Sequence, residues 1–517
     1  MRLPRTSSAL LAAFFAAAST PAYASNVLLV ILDDVGVDKV EGFADYGHDV
    51  PEFMPATPTL TALQDAGVSF DHTWASPMCS PTRVAIHTGV WSFQNGVGTA
   101  LPSYEPGPVD ADWYTLGEAA QAAGVATGVF GKWHIGNVGS ASASWSLGSA
   151  TELVVAGTPP PIEFGFDAFL GSLEGGVADY DAWEAMEWPG ASAPDTDVWL
   201  ETTWPDDVVV DAATEWINDQ PGQWFASVNF YAPHTESGGR YDSGELSEAG
   251  CPGDPCVADG TCADTNKSGS NTDEVAKIVY RDLVECLDDR VAALLEGIDP
   301  DQLGDTVVIL TADNGTVGRV QEGNYSDRGS RASNGKGTVY QSGIHVPLII
   351  TDGEAWLALA DGEEPTSDVY PEAGVRSSVP VATLDLHDTV LSLLGTLRGT
   401  TDPSRAITPM LRAGLTSLSP RALAPRRQLV ESFDLGWETT GVDDDEALAY
   451  LAGSRWKLVL DTVADGSGGY CLDRQLYDLE TDPHEWTDLS EHATRRMDAL
   501  YAEVLALGPP WLPELCP

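Results

Sequence analysis

Five short stretches of this chain carry side chains suited to gripping an anion and moving protons: Asp33-Asp34, Cys79-Ser80-Pro81-Thr82-Arg83, Gly131-Lys132-Trp133-His134, Pro233-His234 and Asp313-Asn314-Gly315. Three carboxylates and an amide oxygen are hard ligands, which suit Ca²⁺, or less well Mg²⁺, better than zinc. A cation held there would fix an anionic oxygen of a substrate and draw charge from the centre under attack. The two histidines are then left for proton transfer. Taken singly, each stretch has a plainer reading: Asp-Asp as a solvated turn, Asn-Gly as a hairpin turn, a lone histidine as a structural group. Pro81 suits an early helical position, so Cys79 falls near a helix N-terminus, where free amides and the dipole favour an anion. Arg83, one turn on, points to the same side. By itself Cys79 reads equally as a disulfide partner or a small buried hydrophobe.

What brings four of these stretches together is their position after strands. Residues 26–32, 125–130, 224–231 and 306–311 are short apolar runs of the kind found in strands buried on both faces, and each runs into one stretch. In an open parallel sheet the ligand site lies beyond the C-terminal ends of the strands. Between the runs come helical segments. Thr57-Pro58 opens one that stops at Gly67, and a capping box of Thr115 and Glu118 opens another that stops at Gly124. This alternation predicts an α/β fold. Residues 137–204, rich in Gly, Pro and Trp, read as a long elaborated loop. Their Trp145, Trp183, Trp188, Trp199 and Trp204 are read first as loop anchors and second as a stacking surface for a sugar or aromatic substrate. Residues 251–275 read as a disulfide-stapled surface insertion. After about residue 420 short strand-like pieces and a final helix over 494–505 indicate a small α+β unit.

The bulk properties narrow the setting. Asp and Glu number 78 against 26 Lys and Arg, a formal charge of −52 that argues against nucleic acid as a partner. Arg2 and Arg5, an apolar run over 9–18 and Ala22-Tyr23-Ala24 have the form of a signal peptide over 1–24, implying export to the periplasm or beyond. That run is too short to span a bilayer, so no stable membrane anchor is expected. The cysteines are seven, an odd number: Cys79, Cys251, Cys256, Cys262, Cys286, Cys471 and Cys516. Pairing within the 251–286 group and within the C-terminal two would leave Cys79 free, but spacing does not determine the connectivity.

Cys-x-Pro-x-Arg with Thr88-Gly89 downstream resembles the signature of the type I sulfatases, in the alkaline phosphatase superfamily. The resemblance runs along most of the mature length. The order Asp-Asp, Cys-x-Pro-x-Arg, Gly-Lys-x-His, Pro-His, Asp-Asn-Gly is completed by Gly335-Lys336-Gly337, and Leu476-Tyr477-Asp478-Leu479 with Asp482-Pro483 and Glu485 is similar to the family's closing domain. The resemblance implies a large, mostly parallel mixed sheet sandwiched by helices over 25–420, and a small C-terminal domain with an antiparallel sheet and helix over 421–517. It implies that a formylglycine-generating enzyme oxidises Cys79 to Cα-formylglycine. Asp33, Asp34, Asp313, Asn314 and the modified Cys79 would bind calcium. Arg83 would hold the formylglycine hydroxyl and Lys132 the sulfate. His134 would be the base that breaks down the covalent intermediate, and His234 and Lys336 would bind sulfate and assist the departing oxygen. The substrate would be a small-molecule or carbohydrate sulfate ester, with phosphate or phosphonate esters the nearest rival. Two positions depart from the family. Gln341 and Gly343-Ile344-His345-Val346-Pro347 replace an acidic residue and Gly-x-Arg-x-Pro, and Glu236 stands where a proline is frequent.

Overall fold

The computed structural model describes residues 25–43, 53–101, 113–136, 146–148, 152–154, 160–177, 179–180, 182–188, 197–235, 273–321, 335–370, 372–396, 427–432, 446–467, 469–509 and 512–516. The expected signal peptide, Trp145, Glu236 and the 251–272 part of the cysteine-rich insertion lie outside them.

A ten-stranded sheet organises the larger part of the chain. Its strands are β1 (Asn26–Leu32), β2 (Val68–Phe70), β3 (Ala126–Lys132), β4 (Ala168–Ser172), β5 (Trp183–Trp188), β6 (Asp197–Glu201), β7 (Trp224–Asn229), β8 (Thr306–Ala312), β9 (Leu348–Asp352) and β10 (Val375–Ser377). Their spatial order is β10-β2-β9-β8-β1-β7-β3-β4-β5-β6. The five strands from β8 to β4 are mutually parallel; β9 and β5 flank them in the antiparallel sense.

β1 shows why the sheet sits at the centre. All seven of its residues are buried, because both faces are covered. Leu28, Val30 and Leu32 pack with Val209, Val210 and Ala213 of the Pro205–Asn218 helix and with Leu283, Leu287 and Leu294 of the Asp273–Gly297 helix. Val27, Leu29 and Ile31 face the other way, into a cluster with Val84 and Ile86 of the Cys79–Thr88 helix and Leu386 and Val390 of the Asp385–Leu393 helix. Alternate residues of one strand thus serve two cores, which is what an uninterrupted apolar run requires.

The helix over Pro58–Ala66 and the one over Leu116–Ala122 lie where sequence places them, and Thr115 and Glu118 form the expected reciprocal cap. Thr57, by contrast, makes no side-chain cap. Asp288 of the long helix supplies it, accepting from Thr59 N and Leu60 N at 2.9 Å each.

Residues 137–204 differ from the loop expected of them. Residues 146–148 and 152–154 pair as a small antiparallel ribbon, and β4, β5 and β6 extend the main sheet through three further strands. Two of the tryptophans here act as anchors: Trp183 is buried and donates to Thr203 O at 2.9 Å, and Trp204 stacks on Tyr180 at 4.3 Å.

Near the C-terminus, strands over Arg427–Ser432, Ala447–Ala452, Trp456–Ala464 and Tyr470–Asp478 form an antiparallel sheet covered by the Thr494–Leu507 helix. Cys471 and Cys516 are joined, Cys286 is also disulfide-bonded, and Cys79 is the free cysteine among the described residues. Among those residues no helix is long and apolar enough to cross a membrane.

Candidate active site

The C-terminal ends of β1, β3, β7 and β8 meet on one rim and bring the predicted residues together. Cys79 is the first residue of its helix, which ends at Gly89 in the left-handed conformation. Its Sγ lies 3.1 Å from His134 Nδ1, while His134 Nε2 lies 2.9 Å from Leu101 O. A carbonyl only accepts, so Nε2 carries the proton and the Nδ1 lone pair faces Cys79. Burial, reinforced by the charge of Lys132, lowers His134 to about 3, so the ring is a neutral base at ordinary pH. His234 is tied the other way round, its Nδ1 2.8 Å from Thr235 O, which leaves Nε2 bare. Burial and Lys132 lower it to about 3 as well.

Each carboxylate of the rim is matched with a cation. Arg83 pairs with Asp313 at 2.9 Å and donates to Lys132 O, Lys132 reaches Asp33 at 2.5 Å, and Lys336 reaches Asp34 at 2.6 Å. Burial and then the charge of Asp313 push Asp33 well above the usual carboxylate range, against the pull of Lys132. Burial also opposes ionisation of Asp34, but Lys336 and His234 hold it below that range.

The donor set suits a hard cation. Asp33 Oδ1 and Asn314 Oδ1 are buried with no hydrogen-bond partner among the described residues, a costly arrangement unless something positive meets them. Asp33, Asp34 and His234 offer ligand atoms within 4.8 Å of one another. Asp313, expected in the same ligand set, is engaged by Arg83 and lies 4.0 Å from Lys132 Nζ. A cation among these oxygens would relieve the crowding that raises Asp33 and release Lys132 and Lys336 toward an anion.

Several residues that hold this geometry are missed by motif reading. Tyr280 donates to the Asp34 carbonyl at 2.7 Å, fixing a residue whose φ is 58°. Asp206 accepts from Tyr231 N and Ala232 N, gripping the turn that presents His234. Gly131 has φ 95°, and a Cβ there would stand 1.9 Å from Asn229 O; only glycine lets β3 approach β7 just before Lys132. The Lys336 loop is fastened from the C-terminal sheet. Glu485 accepts from Gln341 N at 2.9 Å and pairs with Lys457 at 2.5 Å, and Tyr340 donates to Gln475. His345, at the position of the family's arginine, is buried with Nε2 2.9 Å from Asp71 O. Among the described residues, three non-glycine residues have a left-handed backbone: Asp34, His134 and Glu485. All belong to the site or to its fastening, where such strain collects.

Residues 25–396 match the sulfatase family model. Arylsulfatase J of Mus musculus is 22% identical over 492 residues, covering 90% of this chain and 72% of that protein. Arylsulfatase A of Bos taurus is 36% identical over 129 residues, 24% of this chain and 23% of that one. Among solved structures, Ps i-CgsB in complex with k-i-k-neocarrahexaose superimposes with a TM-score of 0.63 at 20% identity, covering 95% of each chain. The phosphonate monoester hydrolase of Agrobacterium radiobacter does so with a TM-score of 0.57 at 18% identity, covering 93% of this chain and 95% of that one. At such identities the structural likenesses show the fold.

Proposed function

The chain belongs to the sulfatase family and is a sulfuric ester hydrolase, and from that premise we propose that Cys79 becomes a formylglycine nucleophile in a calcium site formed by Asp33, Asp34, Asp313, Asn314 and residue 79. The observation that carries this reading is the unprotonated His134 Nδ1 aimed at residue 79 from 3.1 Å, with its far nitrogen pinned to Leu101 O. The aldehyde, hydrated to a diol, supplies one hydroxyl to attack sulfur and a second whose deprotonation lets sulfate leave without water attacking sulfur. Held by the oxygens of Asp33, Asp34, Asp313 and Asn314, calcium would offset the negative charge of the sulfate and draw electron density from its sulfur.

The remaining work falls to side chains. Arg83, locked against Asp313, holds the attacking hydroxyl in place. Lys132 and Lys336 neutralise the sulfate oxygens, and the proton given up by the attacking hydroxyl reaches the departing alcohol oxygen by way of His234 Nε2, which is bare in the free enzyme and donates only after taking that proton up. His134 takes the proton of the second hydroxyl.

Residues 1–24 are proposed as a signal peptide, placing the enzyme in the periplasm or outside the cell, and a formylglycine-generating enzyme as its partner in maturation. The substrate is proposed to be an aryl or carbohydrate sulfate ester. Two likenesses support this: the arylsulfatase relatives, and a structural neighbour solved in complex with its substrate D-glucosamine-2-N,6-O-disulfate.

Turnover of matched aryl sulfate and aryl phosphonate esters tests the reading. The sulfate is expected to be preferred. Removing calcium with a chelator is expected to lower kcat/KM by about a hundredfold or more, a loss of several kcal/mol of charge stabilisation, reversed by added Ca²⁺. A strong preference for phosphonate, or indifference to the chelator, would overturn it.

A further inference from the structure

Leu173-Glu174-Gly175-Gly176-Val177 leaves the end of β4 and crosses the site against both histidines. A Cβ built on Gly175 would stand 2.5 Å from His134 Cε1 and 2.7 Å from its Nε2. One on Gly176 would stand 2.7 Å from His234 Nδ1 and 2.9 Å from Cε1. Non-bonded carbon contacts are favourable only at about 3.5–4.0 Å, so any side chain here displaces a ring. Neither ring retreats freely. Both nitrogens of His134 are engaged, by Cys79 Sγ and Leu101 O, and His234 is tied to Thr235 O.

The strap itself is anchored to the turn it presses on. Ser172 N donates to Tyr231 Oη at 2.7 Å and Glu174 N to Ser172 Oγ at 3.2 Å; beyond the glycines, Tyr180 Oη donates to His234 O at 2.7 Å. The strap is thereby tied on both sides of its glycines to the segment that carries His234.

We propose that Gly175 and Gly176 are positioning residues, a side-chain-free rest for the two histidine rings, with Gly175 governing release of sulfate and Gly176 governing departure of the alcohol. This rests on the assignment of His134 to the second half-reaction and His234 to the first. A misplacement of about 1 Å costs on the order of a hundredfold in rate, and a methyl at either glycine forces a shift of that order.

The test uses rapid mixing of the mature enzyme with aryl sulfates. Gly175→Ala is expected to lower kcat about 10- to 100-fold, with a burst of the aryl alcohol stoichiometric with enzyme, because release of sulfate is slowed. Gly176→Ala is expected to lower kcat/KM without a burst, most for esters of poor leaving alcohols. Gly222→Ala, at a glycine with no heavy atom within 4 Å of its Cβ, serves as the control with unchanged kinetics. In a His134→Ala background the ring's space accepts the new methyl, so Gly175→Ala is expected to cost nothing further in rate or in unfolding midpoint. If Gly175→Ala alone fails to fold, recovery of folding in the double variant supports the proposal. Gly175→Ala kinetics within about twofold of wild type, well inside the hundredfold expected of a displaced ring, would overturn it, as would an equal loss of rate or stability in the two backgrounds. A His134→Ala variant with near-normal turnover would instead sink the assignment of the base, whatever the glycine variants do.

Discussion

Replacing Cys79 with alanine is expected to lower turnover of an aryl sulfate about ten-thousand-fold or more, the scale on which loss of a catalytic nucleophile is felt. The fold is expected to survive. Cys79 is a small side chain at the first position of its helix, its Sγ facing His134 and not the apolar core, so its truncation costs about 1 kcal/mol. Cys79→Ser separates the nucleophile from the second hydroxyl. A serine would transfer sulfate once and then stop, because its ester has no further proton for His134 to remove. Stopped-flow release of the alcohol is therefore expected to show at most one equivalent per site for Cys79→Ser and none for Cys79→Ala. Sustained turnover by either variant would remove residue 79 from the chemistry.

The second large effect is on stability in acid. His87, His134, His234 and His345 are all lowered to about 3, burial being the leading cause in each. Arg83 adds to it for His87, Lys132 for His134 and His234, and His72 for His345. Unfolded, each titrates near 6.5, so below that pH the unfolded chain binds protons the folded chain refuses. Stability is thus complete above about pH 6.5 and falls as pH drops toward about 3, by about 1.4 kcal/mol per pH unit for each histidine. Four such groups together cost about 5 kcal/mol per unit, comparable with the whole stability of an ordinary domain. His345 and His87 isolate the effect. His345 is tied to Asp71 O, and His87 packs against Trp133 and Phe166 at 5.4 and 5.5 Å. Urea unfolding in excess calcium across pH 5 to 6.5 is expected to show a slope reduced by one histidine's share in His345→Gln and in His87→Gln. An unchanged slope in both would contradict the buried, neutral state of these rings.

Much of the site is legible in sequence because its chemistry sits at strand ends. β1 announces itself by six apolar residues in succession, Val27 to Leu32, and Asp33-Asp34 follows because the strand must end there. The same logic holds for Lys132-x-His134, His234 and Asp313-Asn314. Ligand oxygens require acidic or amide side chains, so these positions tolerate little variety. β4, β5 and β6 escape such reading. They are short, and only β4 has a nearly continuous buried run; β6, at the sheet edge, has only exposed and half-buried residues, with Leu200 66% exposed. Their strand character comes from their partners in the sheet.

The positioning groups are hidden for a related reason. Tyr280 acts through one hydroxyl from a helix distant in sequence, Asp288 caps a helix more than two hundred residues upstream, and Gly175-Gly176 are two glycines in a chain with 51. Nothing in their local pattern marks them. Glu485 lies in between. Its motif is recognisable, but its grip on Gln341 N, and so on the Lys336 loop, exists only once the C-terminal sheet is folded against the larger one.

Mass spectrometry of the peptide containing Cys79 tests the central claim most directly, on protein made in a host able to modify it and active on a sulfate ester. The expected mass at position 79 is that of formylglycine, or of its hydrate, in a fraction that rises in step with specific activity across preparations. A fully active preparation in which residue 79 is entirely an unmodified thiol, or is paired in a disulfide, would contradict it.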